Sequence, residues 1–174
     1  MMNNSIYLDI KDVSGECKDS NHPNGIDVHT FKWELSQPVE TGSGGGGGSG
    51  RAKIHSLVVY ARMDKAMPTL MQKLAQGAHL PEVKLTMRKA GNEQQEFTTI
   101  TLESALLDSI ELVDFNRDIP HLTEGSTAIK PGTIGVKYSF SPNKAKVIYK
   151  EQDNEGKSGA EVEFKWNTQT NRPE

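Results

Sequence analysis

The chain has 174 residues, a formal net charge of −3 at pH 7 and an isoelectric point near 6.0. A chain of this length can bury a true hydrophobic core, and we expect a single domain over residues 1–174. Acidic and basic residues are nearly balanced, so composition does not indicate a nucleic-acid-binding protein.

The first residues lack the basic and apolar regions of a signal peptide, and no later stretch approaches the roughly 20 apolar residues of a membrane span. We therefore expect synthesis in the cytoplasm, with export only by a route that does not use signal peptides. The single cysteine, Cys17, excludes an intrachain disulfide and any multi-cysteine metal cluster.

Period-two alternation of apolar and polar residues predicts strands in the first part of the chain, around residues 6–10 and over residues 26–35. One face of each strand is apolar and should face a core. The residues expected to point inward are Ile6, Leu8, Ile10, Phe31, Trp33 and Leu35.

A glycine-rich segment follows, with Gly44–Gly48 unbroken. Glycine has the largest backbone entropy cost on folding, so we expect a long flexible loop over residues 38–51. The string from Gly45 to Gly50 formally satisfies the dinucleotide-binding pattern GxGxxG, but any glycine run does. The helix that this fingerprint requires is missing, because an alternating strand begins at Arg51.

The run 52–62 is apolar on both faces, which predicts a strand covered on both sides. A short helix is predicted at about 68–76, beginning at Pro68 and capped by Gly77. A helix this short needs a surface to pack on, and the second face of 52–62 could supply it. Its expected core contacts are Leu70, Met71 and Leu74.

Alternation resumes after the helix and predicts six more strands, with the turn Gly91-Asn92 joining the first two as a hairpin. Inward positions should include Val83, Leu85 and Met87, then Ile134, Val136, Tyr138 and Phe140, and finally Val162, Phe164 and Trp166. The six strands are expected at residues 84–90, 97–102, 105–113, 133–141, 144–151 and 161–167.

About nine strands with one helix predict a mainly β protein, a closed antiparallel β-barrel of two packed sheets, because closure removes exposed sheet edges. Residues 116–132 are rich in proline and polar residues and predict an irregular surface loop.

No catalytic or metal-binding motif survives inspection of the sequence. The five histidines are scattered, and none forms an HxH, HExxH or helical i,i+4 pair. Residues 151–156 resemble the start of a calcium loop, but Val162 stands where the bidentate glutamate is needed. We therefore expect no enzyme activity, no metal and no cofactor.

Several segments together resemble the haemolysin-coregulated protein family, Hcp, the tube subunit of the bacterial type VI secretion system. The strongest match surrounds the predicted helix: Asp64-Lys65-Ala66, Pro68, Leu70, Gly77, His79, Pro81-Glu82 and Arg88-Lys89-Ala90-Gly91. Supporting segments are residues 15–22, with Cys17 where the family has serine, residues 26–38, and the closing residues 152–167.

The resemblance implies a β-barrel with one helix on its flank, six copies joined in a ring, and rings stacked into a hollow tube. It also implies a contractile sheath and baseplate that propel the tube, a spike protein of the VgrG type at its tip, and effector proteins in its lumen. Secretion to the extracellular space or a target cell follows from the same resemblance.

A glycine-rich loop at the barrel mouth could reach an adjacent ring, so we expect the 38–51 loop to mediate ring stacking. Its candidate residues are Pro38, Gly44, Gly45, Gly46, Gly47, Gly48, Ser49, Gly50 and Arg51. Two alternatives remain open: a soluble β-barrel that binds a small molecule at its mouth and the 116–132 loop, and, more weakly supported, an enzyme or toxin.

Overall fold

The computed structural model describes residues 5–38, 50–89, 95–118, 133–152 and 158–174. These residues form mainly strands, with two helices. The elements are β1 (Ser5–Ile10), β2 (Ile26–Lys32), β3 (Leu35–Ser36), β4 (Lys53–Ile54), β5 (Leu57–Arg62), α1 (Ala66–Ala75), β6 (His79–Arg88), β7 (Glu96–Asp114), α2 (Phe115–Asp118), β8 (Ile134–Ser141), β9 (Lys144–Gln152) and β10 (Ser158–Asn167). Among the described residues, no helix is long and apolar enough to span a membrane.

The strands confirm the predicted closed antiparallel barrel. Six strands close in the order β7-β6-β1-β2-β5-β8, because β8 pairs back onto β7. Strands β9 and β10 continue the sheet beyond the barrel from the edge of β7, and we call this two-stranded extension the arm. Strands β3 and β4 form a separate short hairpin.

Strand β7 is one strand of 19 residues where the sequence predicts two. Its first part pairs with β9 and its second part with β8. Two irregularities separate these parts: Ser104 adopts a φ of 49°, and the register shifts between Leu107 and Ser109. Backbone pairing to β6 continues past Ser104, so the predicted break is a distortion within a strand.

The register shift places Asp108 at a bulge, where its carboxylate gathers three hydroxyl groups. Its Oδ2 accepts hydrogen bonds from Ser56 (2.6 Å), Ser139 (3.2 Å) and Ser141 (2.9 Å). Ser56 immediately precedes β5, and Ser139 and Ser141 belong to β8, so the Asp108 side chain links β7 to both neighbouring segments at the bulge.

The barrel interior is filled by apolar side chains. Several of the largest are fully buried, among them Leu8, Leu57, Leu85, Leu102, Tyr138 and Phe140. The predicted inward residues are confirmed near the strand centres, but Leu35, Ile134, Val162 and Phe164 are 36–66% exposed. Those four predictions are wrong because their strand segments extend beyond the closed barrel or lie at its end.

Helix α1 begins at Ala66, two residues before the predicted start. Pro68 lies in the first turn, where backbone N–H groups have no intrahelical partner, so it does not block the earlier start. The Asp64 carboxylate instead accepts a hydrogen bond from the Ala66 N–H (2.9 Å). Gly77 ends the helix with a φ of +61°, as predicted, and the Ala78 N–H donates to the Lys73 carbonyl (3.0 Å).

The inward stripe of α1 is Ala66, Leu70 and Leu74 at i,i+4 spacing; Ala66 and Leu70 are fully buried, and Leu74 is half-buried. Met71, expected in the core, is 39% exposed. The helix lies chiefly against β7 and not against the strand that precedes it. On the outer face of β5, Val58 and Tyr60 are half-buried, and the Tyr60 ring meets the Phe115 ring of α2 edge-on, with 6.4 Å between centroids.

Two predicted strands are interrupted in the structure. Residues 26–35 divide into β2 and β3, and residues 52–62 divide into β4 and β5. The two breaks, at residues 33–34 and 55–56, lie side by side. Two hydrogen bonds join them: the Trp33 Nε1 donates to the His55 carbonyl (3.0 Å), and the His55 N–H donates to the Glu34 carbonyl (3.0 Å). The predicted 84–90/97–102 hairpin is confirmed as β6 paired with β7.

A polar cluster ties the loop after β1 to the barrel wall. His22 is 4% exposed, and each of its ring nitrogens meets a carboxylate: Nδ1 lies 2.6 Å from Asp9 and Nε2 lies 3.0 Å from Glu96. Its ring stacks on Tyr7 with centroids 4.4 Å apart. Because Asp9 and Tyr7 belong to β1 and Glu96 begins β7, the histidine joins three segments.

Arg88 of β6 completes this cluster. Its guanidinium lies over the Tyr7 ring, 5.0 Å from the centroid, and it forms an ion pair with Asp19. The hydrogen bond from Arg88 is the main reason that the pKa of Asp19 falls to about 2, from an ordinary 3.8. The loop is thus fastened by charge as well as by stacking.

Replacing a buried leucine should destabilise the protein much more than replacing an exposed leucine at the end of the barrel. We expect Leu85→Ala to lower the free energy of unfolding by about 2–5 kcal/mol, since it leaves a cavity in a filled interior. Leu112 is 55% exposed, so Leu112→Ala should change the stability by no more than about 0.5 kcal/mol. Denaturant unfolding of both variants makes the comparison, and equal effects would contradict this account of the core.

The ion pair of Asp19 predicts an acid sensitivity. Folding lowers the pKa of Asp19, so its stabilising effect is present above its ordinary pKa and is lost as the pH falls from about 4 to about 2. We expect Asp19→Asn to be less stable than the parent at pH 6 and to lose less further stability between pH 4 and pH 2.

Asp12→Asn is the matched control for this experiment. Asp12 is exposed, and its φ of 64° is one that asparagine adopts readily. Thermal unfolding at a series of pH values should show the parent's acid sensitivity in this control. A parent-like acid sensitivity in Asp19→Asn would show that the ion pair does not have the stabilising role assigned to it.

Candidate assembly surface

The arm has one apolar face that continues the inner surface of the barrel into solvent. In the register of β9 and β10, Val162 lies opposite Tyr149, Phe164 opposite Val147, and Trp166 opposite Ala145. Ala145 is buried against the core, whereas Val162 is 66% and Tyr149 is 47% exposed. The same face therefore changes from core to surface along the arm.

Two aromatic rings on this face are held parallel. The rings of Phe164 and Trp166 are 6.4 Å apart between centroids, with planes within 4°. They are two residues apart on β10, so strand geometry alone places them on one side. Together with Val162 they present a flat apolar strip, with Phe164 36% exposed.

The opposite face of the arm is charged. Glu163 accepts hydrogen-bonded ion pairs from Lys146 and Lys165, both at 2.8 Å. These exposed pairs lower the pKa of Glu163, with the hydrogen bond from Lys146 as the main cause. Such pairs add little stability, but they mark which face of the arm is suited to water.

A shallow apolar groove separates the arm from the β3–β4 hairpin. Its volume is about 270 Å³, and we call it the arm groove. Leu35, which is 45% exposed, borders it on the hairpin side. The full lining is Leu35, Ser36, Gln37, Ala52, Lys53, Ile54, Phe164 and Trp166.

The described ends of the predicted stacking loop come together at its base. The Gly50 N–H donates to the Pro38 carbonyl (3.2 Å), and the Gln37 Nε2 donates to the Gly50 carbonyl (2.9 Å). A Cβ at position 50 would lie 2.5 Å from Pro38 Cγ, so this contact favours glycine. Arg51 donates from Nη2 to the carbonyls of Thr168 and Gln169.

The remaining candidates of that loop, Gly44, Gly45, Gly46, Gly47, Gly48 and Ser49, lie outside the described residues. The same holds for most of the predicted 116–132 loop, of which only residues 116–118 are described. These belong to α2, a single turn that the sequence did not predict. Asp114 begins it by accepting a hydrogen bond from the Asn116 N–H (3.1 Å).

Two of the side chains that could carry chemistry, Cys17 and His22, are buried within the described structure. Burial raises the pKa of the Cys17 thiol to about 11, so at neutral pH this thiol stays protonated and is a poor nucleophile. His22 is occupied on both ring nitrogens. Within the described ranges, no group of three or more His, Cys, Asp or Glu side chains is arranged to hold a metal ion.

The apolar alternation of Val162, Phe164 and Trp166 is visible in the sequence, but there it predicts three core residues. Alternation indicates that one face of a strand is apolar. It does not indicate whether that face is covered by the subunit's own core or by another chain. The β3–β4 hairpin and its groove gave no signal, because two-residue strands are too short to show a period.

Comparison with known proteins agrees with this architecture. Residues 7–146 match the family described as "Type VI secretion system effector, Hcp". The chain is 36% identical over 168 residues to the protein hcp1 of Pseudomonas aeruginosa, covering 95% of this chain and 96% of that protein.

Two solved structures share the fold at lower identity. One, described as the structure of a type six secretion system protein, has a TM-score of 0.84 at 22% identity and covers 99% of this chain and 100% of its own. Another, Hcp1 from Salmonella typhimurium, has a TM-score of 0.74 at 21% identity, with both chains covered completely. The family match over most of the chain, together with the closed barrel, shows that this chain belongs to the Hcp family of the type VI secretion system.

Proposed function

We propose that this chain is the structural subunit of a type VI secretion tube. Six copies join into a ring, and rings stack into a hollow tube that a contractile sheath propels. Membership of the Hcp family supports the assignment of this chain to the type VI secretion system. The observation that carries the structural role is the apolar face of the arm, which the described part of the subunit leaves exposed.

The arm suits a contact between copies for a simple physical reason. An apolar strip beside an apolar groove gains free energy when it is covered, at about 25 cal/mol per Å² of apolar surface removed from water. Monomeric proteins rarely leave such continuous surfaces open. The charged outer face of the same two strands, with Glu163 paired to Lys146 and Lys165, would remain in water.

In a ring of head-to-tail contacts, each subunit uses one surface for one neighbour and a different surface for the other. Such contacts close into a ring only if the rotation between neighbours is a whole-number fraction of a full turn. The arm supplies one surface in this proposal. The outer face of β5, with Val58 and Tyr60, is a suitable second surface because α1 lies chiefly against β7 and both side chains stay half-buried, even with Tyr60 against Phe115.

We expect Val162→Glu to prevent ring formation while the subunit stays folded. Val162 is 66% exposed, so the added carboxylate is hydrated in the free subunit and would be desolvated in a ring. Light scattering after size exclusion, with negative-stain microscopy, should show rings for the parent and monomers for this variant.

Glu161→Gln is the matched control, because it changes the charge by one unit on the other face of the same strand. This control should form rings as the parent does. A parent that stays monomeric at high concentration would contradict the tube proposal. Rings that persist in Val162→Glu would contradict the role of the arm.

We place ring stacking at the glycine-rich loop, with Pro38, Gly44–Gly50 and Arg51 as its residues. The loop's described base is closed by the Gly50 to Pro38 hydrogen bond, so the two strands beyond it, β3 and β4, do not depend on the loop for their position. Contacts made by the loop would therefore add to the ring without being required for it.

Deleting Gly44–Gly48 should leave the ring intact and shorten the stacks of rings. Ring integrity is measured by light scattering, and stack length by electron microscopy. Cysteine pairs placed across the loop in adjacent rings test the same contact, and Cys17 should not interfere because it is buried. An unfolded or ring-less deletion variant would contradict this assignment.

The remaining assignments follow from the tube role. In this proposal the partners are a spike protein of the VgrG type, the sheath and baseplate, and effector proteins in the lumen. The subunit leaves the cell through the secretion machine in this proposal, and its work is mechanical, without catalysis.

A small-molecule-binding barrel is the second candidate. We rank it below the tube role because the interior between the described strands is filled by Leu8, Leu57, Leu85, Tyr138 and Phe140, each fully buried. A ligand would therefore be limited to the barrel mouth and the 116–132 loop, and most of that loop lies outside the described residues.

A further inference from the structure

We propose that Arg51 is a positioning residue that couples the C-terminal turn to the base of the 38–51 loop. The C-terminal turn is the segment Thr168–Glu174. It lies more than one hundred residues from Arg51 in sequence, yet the Arg51 guanidinium donates to two of its carbonyl groups, those of Thr168 and Gln169. Hydrogen bonds from a charged donor are the stronger class.

The acceptors of these bonds are held in place by the barrel. The Thr168 N–H donates to the Asn143 carbonyl (2.9 Å), and the Thr168 hydroxyl donates to the same carbonyl (2.8 Å). Asn143 lies between β8 and β9. Arg51 therefore reaches a point fixed to the junction of the barrel and the arm.

The turn itself is shaped by one side chain. The Asn167 Oδ1 accepts hydrogen bonds from the N–H groups of Gln169 (3.0 Å) and Thr170 (3.1 Å). The Asn167 N–H also donates to the Arg172 carbonyl (2.9 Å). These bonds orient the Thr168 and Gln169 carbonyls toward Arg51.

On the other side, Arg51 is adjacent in sequence to Gly50, which closes the loop base against Pro38 and Gln37. The guanidinium thus connects two closed structures, the loop base and the C-terminal turn. Loosening either structure should loosen the other, because each restrains the same side chain. Whatever binds or pulls the C-terminal turn would then act on the loop base.

Amide hydrogen exchange in the full-length chain tests this coupling without reference to assembly. For Arg51→Ala we expect exchange at least about tenfold faster at Gly50 and, at the distant end, at Gln169 and Thr170, since the variant loses two charge-assisted bonds. Exchange in β1 should not change. Arg51→Lys keeps a charged donor and should fall between the parent and Arg51→Ala.

Lys11→Ala is the control, an exposed basic residue in the loop after β1, away from the loop base and the C-terminal turn. It should exchange as the parent does. Unchanged exchange at Gln169 and Thr170 in Arg51→Ala would overturn the coupling, and so would a rise throughout the chain, which indicates general destabilisation. Asn167→Ala provides a second route to the same result, because it should accelerate exchange at Gly50 from the opposite end.

The consequence for assembly rests on the proposed function, and it has a separate readout. If the loop stacks rings, Arg51→Ala should form rings and shorten the stacks severalfold. Faster exchange with stacks of normal length would support the coupling and count against the stacking role. Normal exchange would count against the coupling, whatever the length of the stacks.

Discussion

The pairing of β7 with β8 is the interaction on which the rest of the fold depends. Without it the strands would form an open sheet with two long edges. With it the six central strands close, and the apolar faces of β1, β5, β6 and β8 meet in one core. The closure is possible because β7 changes partner along its length, from β9 to β8, across the bulge at Asp108. Three serine hydroxyl groups satisfy the carboxylate at that point.

The change of partner also creates the arm. The first part of β7, Thr98–Glu103, does not pair with β8. Strand β9 pairs with this part instead, and β10 pairs with β9. The face that is buried inside the barrel at Ala145 then continues outward to Tyr149 and Val162, where the barrel no longer covers it. Closure of the core and exposure of the arm are therefore two results of one strand's geometry.

Much of the fold could be predicted from the sequence because strand period and turn residues act locally. The alternation around Leu85 and Tyr138, the cap at Gly77 and the β6–β7 hairpin are all confirmed. What could not be predicted depends on distant parts of the chain. Nothing local to Met71 shows that α1 turns its stripe toward β7 and leaves this residue exposed, and nothing local to Val162 shows that its strand extends beyond the barrel.

The site was predicted less well, for a related reason. The glycine run is conspicuous in the sequence, but its candidate residues from Gly44 to Ser49 lie outside the described part of the structure. The candidate surface in the structure is instead formed by the arm and the arm groove, with Phe164, Trp166 and Leu35. In the sequence these three residues are indistinguishable from core residues. The bond from Arg51 to the C-terminal turn has no sequence signature, because its acceptors are backbone carbonyl groups.

The two-faced arm has a consequence for how the isolated chain behaves in solution. A free subunit carries an apolar strip on a strand whose outer edge is unpaired within the described sheet, and strands of this kind are prone to off-pathway association. Glu161, Glu163 and Lys165, which alternate with the apolar residues of the same strand, oppose this, since mispairing in the wrong register would place charge against apolar surface. The charged face of the arm thus opposes aggregation of the isolated chain, whose apolar strip is exposed.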